Sequence, residues 1–383
     1  MKLIDEFRDR DLAHKVATAI ARAADTGRRY RLMEFCGGHT HAIFRYALQD
    51  LLPSNVEMVH GPGCPVCVLP VARLDSAIDL ARNPDVILCS YGDMLRVPAS
   101  GRTSLLQARA TGADIRMVYS CTEALKIASD YPDKEVVFFA IGFETTTPPT
   151  AVVIQQAVQL GLKNFSVFSN HVLTPAAMTA ILESPEQCQA GSVAIDGFVG
   201  PAHVSTVIGY RPYEPFAKDY HKPVVIAGFE PLDLMQAILM LIRQLNEGRH
   251  QVENEYTRAV SRDGNIKAQQ RVAEVFVLRS EFEWRGLGTI PNSALQIRSA
   301  YSALDAERRF ELPVRLSQEN KACDCPAILR GVKNPRDCRL FGNGCTPETP
   351  QGACMVSSEG ACAAYWNYGR ARQSSQTTPE AKS

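Results

Sequence analysis

The sequence predicts an α/β protein: two parallel-sheet, Rossmann-like α/β domains around a central cleft, followed by a cysteine-rich C-terminal region. Three observations carry that expectation. Short apolar, β-branched runs alternate with helix-period segments from about residue 30 to 228, polar or glycine-rich loops follow seven of those runs, and most of the twelve cysteines fall in three tight settings.

In chain order, the first thirty residues are charged and helix-patterned, without the apolar stretch of a signal peptide or a membrane span, so a cytoplasmic protein is expected. Strands are expected at 31–35, 56–60, 85–90, 115–120, 135–142, 165–169, 194–200 and 223–228, each nearly continuous in hydrophobicity, as strands covered on both faces are. Between them, 42–52, 72–83, 151–161 and 233–245 repeat at helix period. Strand and helix alternating this often imply parallel sheets. The expected division is 1–120 for the first domain, 121–245 for the second, and 246–383 for a partly helical, cysteine-rich third region with a strand at 272–279 and a polar tail from about Gln373.

Lys+Arg and Asp+Glu both number 41, and no block of like charge marks a polyanion-binding face, which argues against nucleic acid as a partner. In a reducing compartment twelve cysteines point to metal or redox chemistry instead of a disulfide framework. Cys89, Cys121 and Cys188 stand alone beside apolar runs and read as small buried hydrophobes.

Ligands in open α/β sheets bind beyond the carboxyl ends of strands. The unusual residues cluster there. In FCGGHTH, Cys36 precedes two glycines and a helix start, so a soft thiolate near a positive helix end is expected, suited to iron or another soft metal. His39 and His41 are candidate ligands or proton donors, and equally candidate buried histidines. In HGPGCPVC, Cys64 and Cys67 form C-x-x-C at a helix start, where a thiol pKa falls and a dithiol can switch with its disulfide or supply half of a metal site; a proline-stiffened turn is the bland alternative. GFETTTPPT sets Glu144, Thr145 and Thr146 at a strand end as possible binders of a small polar ligand, although Thr147 before Pro148 is also an ordinary helix cap. GPAHVST places His203 at another such end. Neither a P-loop nor a C-x3-C-x2-C motif occurs.

Six cysteines close the sequence in the spacing C-x-C-x12-C-x6-C-x8-C-x7-C: Cys323, Cys325, Cys338, Cys345, Cys354 and Cys362. Paired C-x2-C zinc knuckles are missing, which favours an iron–sulfur cluster over zinc; a [4Fe–4S] cube needs four thiolates and leaves two over.

Taken together, FCGGHTH, GPGCPVC, GFETTTP, GPAHVSTVIG and CTPETPQGACMVSSEGACAAYW resemble, in order over about residues 30–368, the hydrogenase maturation factor HypD family. The resemblance implies a role in assembling the Fe(CN)2CO unit of [NiFe]-hydrogenases. It also implies a resident [4Fe–4S] cluster, work in complex with the small chaperone HypC, cyanide received from the HypE–HypF system, and the hydrogenase large-subunit precursor as the indirect destination. Carried over, Cys36 is the thiolate that holds the iron, and Cys64 and Cys67 are the redox pair. His39, Thr40, His41, Thr145, Thr146 and His203 sit at strand ends where they can donate to cyanide nitrogens. Cys323, Cys338, Cys345 and Cys362 are the expected cluster ligands, with Cys325 and Cys354 as a second dithiol; exchanging Cys323 with Cys325 fits equally well. No stand-alone catalytic reaction follows from this reading. The rival is a free-standing Fe–S-dependent thiol–disulfide oxidoreductase, and a weaker third is a metabolic Fe–S enzyme acting on a small carboxylate.

Overall fold

A computed structural model describes residues 4–184, 195–313 and 319–369, so Cys188 and the tail from Gln373 lie outside the described residues. The strands are β1 (Tyr30–Glu34), β2 (Val56–His60), β3 (Val86–Ser90), β4 (Ile115–Met117), β5 (Glu135–Gly142), β6 (Phe165–His171), β7 (Gly197–Gly200), β8 (Val224–Ile226) and β9 (Val252–Asn254). They form two parallel sheets, ordered β2-β1-β7-β8-β9 and β4-β3-β5-β6. The α/β reading therefore holds.

The expected division at residue 120 does not match this topology. The chain lays down β1 and β2 in the first sheet, crosses to build the whole second sheet with β3–β6, and returns to complete the first with β7–β9. Register explains the return: Leu32, Met33 and Glu34 of β1 pair with Gly197, Phe198 and Val199 of β7. The expected strand at 272–279 is corrected in the same way. Helix Ile266–Val275 runs through its first half, and only from Phe276 does the chain become β10 (Phe276–Trp284), which pairs antiparallel with β11 (Gly288–Ile297). Helix Ile266–Val275 packs on helix Thr147–Gln159, and that contact outweighs the β-branched composition.

Helix Pro231–Asn246 shows how the helices cover the sheets. Leu234, Ile238, Leu241, Ile242 and Leu245 recur on one face and are buried with Val199 and Val225 of the first sheet, alongside Ile20 of helix Arg10–Ala23. Its start is fixed by reciprocal capping between Glu230 and Asp233. No helix among the described residues is long and apolar enough to cross a membrane.

Strand order also fixes where the cleft opens. In the first sheet β2 and β7 flank β1 on opposite sides, and in the second β4 and β5 flank β3 on opposite sides. Connections leaving such neighbours diverge and leave a crevice at the strands' carboxyl ends. The loops after β1 and β7 thus face those after β3 and β5.

Candidate functional site

Those loops line a cavity of about 500 Å³, within the range of small-ligand sites. Cys36, Tyr91, Asp93, Thr145, His203 and Glu359 are on its wall, and Cys36 is the only cysteine among the lining residues. Cys36 ends the extended chain after β1 and caps helix Gly37–Arg45. Two glycines let the surroundings close on it: a Cβ on Gly63 would fall 2.5 Å from the Cys36 amide nitrogen, and one on Gly37 would fall 2.4 Å from the Cβ of Glu359. The glycines of CGG and GPGC thus serve close approach.

A residue that sequence reading missed lies beneath this loop. Glu34, 0% exposed, accepts the Cys36 amide at 2.9 Å, the Thr40 hydroxyl, and His60 Nδ1 at 2.9 Å. The β1–β2 register sets Glu34 directly across from His60. Its signal was available as an acidic residue in the otherwise apolar strand end LMEF.

The electrostatics at Cys36 run against the expected lowered pKa. Burial, then the Glu359 and Glu34 carboxylates, push the thiol up to about 12, outweighing the opposing effect of the Gly38 and His203 backbone amides. In the free protein Cys36 is a protonated thiol at neutral pH, and a metal ion must displace its proton to bind.

The other expected residues separate. His203 and Thr145 line the cavity with Cys36, and so does Thr146, whose hydroxyl turns back to the Ile141 and Phe143 carbonyls at 3.3 Å. Glu144 points into the interior, where it accepts the Thr174 amide at 2.9 Å and hydroxyl at 3.0 Å; burial raises its pKa to about 7. Glu144 thus fixes the loop after β5 and does not face the cavity. His39 is fully buried, its Nε2 3.0 Å from the Ala227 carbonyl, with burial lowering its pKa. His41 meets the Tyr368 ring edge-on. Neither His39 nor His41 lines the cavity with Cys36.

Cys64 and Cys67 are joined as a disulfide, with Cα atoms 5.2 Å apart, around the short helix Pro65–Val68. Both are buried, and Gly63, Pro65 and Val66 present the cavity wall in their place. The turn therefore holds the pair behind the Cys36 loop instead of aiming it into the cleft. On its far side, this helix packs against Ala353–Met355, which carries Cys354.

All six C-terminal cysteines line one small apolar cavity with Ile328, Phe341 and Met355. Cys325 and Cys354 bring their sulfurs to 2.7 Å. Burial and then the neighbouring thiols Cys325, Cys323, Cys345 and Cys338 raise the pKa of Cys362 well above the ordinary range. Thiols crowded so closely cannot all ionise unless a cation neutralises them, which is the donor chemistry an iron–sulfur cube requires. No three His, Cys, Asp or Glu side chains among the described residues converge on a single ion. A cube places each thiolate on a different iron, so its ligands stand apart.

A family profile named HypD and described as "Hydrogenase formation hypA family" matches residues 11–369. The chain is similar to hydrogenase maturation factor HypD of Azotobacter vinelandii, with 68% identity over 97% of this chain and 98% of that protein. It is similar to hydrogenase maturation factor HypD of Cupriavidus necator (64%; 97% and 98% covered). With hydrogenase maturation factor HypD of Escherichia coli it shares 46% identity (96% and 95% covered).

Proposed function

Because this chain belongs to the HypD family of hydrogenase maturation factors, we propose that it is the scaffold on which the Fe(CN)2CO unit of [NiFe]-hydrogenases is assembled. The observation that carries this reading is the placement of Cys36 as the one cysteine on the wall of the inter-sheet cavity. Iron is the cargo. Its binding displaces the thiol proton, and the amides of Gly38 and His203 then take up the charge of the thiolate. An electron-rich iron carrying cyanide and carbonyl suits a soft sulfur anchor and a sheltered cleft with donors for the cyanide nitrogens; Thr145 and His203 are positioned to supply them. HypC and the HypE–HypF system are the proposed partners.

The resident cofactor in this reading is a [4Fe–4S] cluster held by Cys323, Cys338, Cys345 and Cys362, which supplies single electrons when bound. Cys325 and Cys354 remain as a second dithiol, supported by their 2.7 Å sulfur separation. Cys64–Cys67 exchanges two electrons and two protons between disulfide and dithiol, and its helix is packed between the Cys354 segment and the Cys36 loop. The oxidoreductase alternative is weakened because Cys64 and Cys67 line neither large cavity, and exchange with a protein substrate needs an approach to the sulfur.

Anaerobically isolated protein with its small partner is expected to show infrared bands of iron-bound cyanide and carbonyl. A complex that supports hydrogenase maturation without such bands would overturn the scaffold reading. A second expectation separates the cysteines. Alanine at Cys338, Cys345 or Cys362 abolishes the visible absorbance of the cluster, whereas alanine at Cys325 or Cys354 retains it; recovery of zinc in place of iron and sulfide would refute the cluster.

A further inference from the structure

A second cavity, of about 590 Å³, lies on the other side of the cysteine cluster, lined by residues of the segment 96–107 and of the C-terminal region. Cys323 and Cys325 lie on its wall; Cys36, Cys64, Cys67 and Cys354 do not. The molecule therefore has two mouths, one onto Cys36 and one onto Cys325.

We infer that this second cavity is a binding site for a thiol of peptide size, which reduces the Cys325–Cys354 pair by attack on the Cys325 sulfur. The proposal rests on the relay reading above and adds where reducing equivalents are admitted and in what chemical form. Three observations support it. The sulfurs of Cys325 and Cys354 already touch at 2.7 Å, so forming or breaking their bond requires little movement. Only Cys325 of the two reaches this cavity, while Cys354 is on the segment that packs against helix Pro65–Val68. The rim carries opposite charges, with Arg96 and Glu348 both exposed, which matches a zwitterionic peptide better than a simple anion.

Cys325 is 3% exposed, and what exposure it has is onto the cavity wall, so exchange there depends on a thiol small enough to enter the cavity. An external thiolate attacks Cys325 of the disulfide form, making a new S–S bond as the Cys325–Cys354 bond breaks; Cys354 leaves as a thiolate and takes a proton. A second external thiolate then attacks the incoming sulfur of the mixed disulfide, releasing Cys325 as the thiol. Two thiols become one disulfide, and two electrons and two protons pass to the pair. Cys354 is released on the side facing the Cys64–Cys67 helix, so the member on the cavity wall receives and the inner member passes on. Buried Arg285 links the two sides: its guanidinium lies on the cavity wall and pairs with Glu319, and its amide donates to the Val68 carbonyl at 2.8 Å.

The test uses the full-length protein and glutathione as probe. Cys354→Ser exposed to glutathione disulfide should acquire one glutathione on Cys325, read by peptide mass spectrometry, whereas Cys325→Ser should acquire none on Cys354. Gln107→Trp, which fills the cavity from an exposed position, should slow labelling about tenfold, because exchange depends on access to the sulfur, without moving the melting temperature. If Cys354→Ser does not fold, pulse alkylation of the reduced wild-type chain decides, with Cys325 expected to react faster than Cys354. Equal labelling of both sulfurs, or labelling unaffected by Gln107→Trp, overturns the proposal. A phosphine reductant reaches disulfides without the cavity's selectivity. Reduction of Cys64–Cys67 by phosphine but not by glutathione would refute this site and leave the relay standing; failure of Cys64–Cys67 to undergo reduction by either would refute the relay itself.

Discussion

Cys36→Ala is expected to eliminate every infrared band of iron-bound cyanide and carbonyl from the complex with the small partner, while the visible absorbance of the cluster is retained. The loss should be complete because the cavity wall offers no other cysteine, and its nearest charged groups, Asp93 and Glu359, are hard oxygen donors poorly matched to a low-spin, cyanide-bearing iron. The fold should survive. The Cys36 side chain makes no capping hydrogen bond, and the contacts fixing the loop come from its backbone: the amide to Glu34, and the carbonyl accepting from His39 and Thr40. Alanine keeps all of these. The thiol is held up to about 12 chiefly by burial, so loading must release one proton across the neutral range, and apparent iron affinity should rise with pH by about tenfold per unit. Cys36→Ala removes that dependence together with the bands. Bands at full strength in the alanine variant would exclude Cys36 as the anchor.

Cys36 also shows where sequence reading works and where it stops. Its position after a buried strand, before two glycines and a helix, was legible because strand burial and helix starts are local properties. Its proton affinity was not, because it is set by burial and then by the carboxylate of Glu359, over three hundred residues away. The sheets behave alike: strands 56–60 and 135–142 match their expected bounds, yet the return of β7 to β1 depends on pairing between residues about 165 apart. Local hydrophobicity carries no record of that partner. Glu144 had the composition of a ligand residue and became a support for Thr174. Glu34 had the composition of a strand residue and became the support of the Cys36 loop. In both, the direction of the side chain decides the role, and direction is set by packing.

The largest stability effect is expected at Glu307→Gln, which should cost about 2 kcal/mol, because breaking a partly buried pair falls between the roughly 1 kcal/mol of exposed pairs and the cost of leaving a buried charge uncompensated. Glu307 accepts from both Arg73 and Arg279. Arg73 belongs to helix Val71–Ala81, Arg279 to β10, and Glu307 to helix Ala306–Arg309, so one carboxylate joins three separate parts of the chain. Arg73 is further committed, donating to the Ser169 carbonyl at 2.9 Å and lying over the Phe168 ring at 4.3 Å. Those contacts hold it in place when its partner is neutralised, and the two guanidiniums are left beside each other. Burial opposes ionisation of Glu307, but the paired charges of Arg73 and Arg279 outweigh it and bring the pKa down to about 2. A carboxylate whose pKa falls on folding stabilises the fold above its unfolded value, near 4.5, and loses that contribution as pH falls toward 2. Wild-type unfolding free energy should therefore drop over that window, and Glu307→Gln should flatten the drop. The more exposed pair Arg309–Glu135 is the control, where Glu135→Gln should cost no more than about 1 kcal/mol. Helix Val71–Ala81 follows directly on Pro65–Val68, so the same substitution should loosen the support of Cys64–Cys67. Faster reduction of that disulfide in Glu307→Gln than in Glu135→Gln is the expected result, and equal rates would show that the triad stabilises the fold without positioning the redox pair.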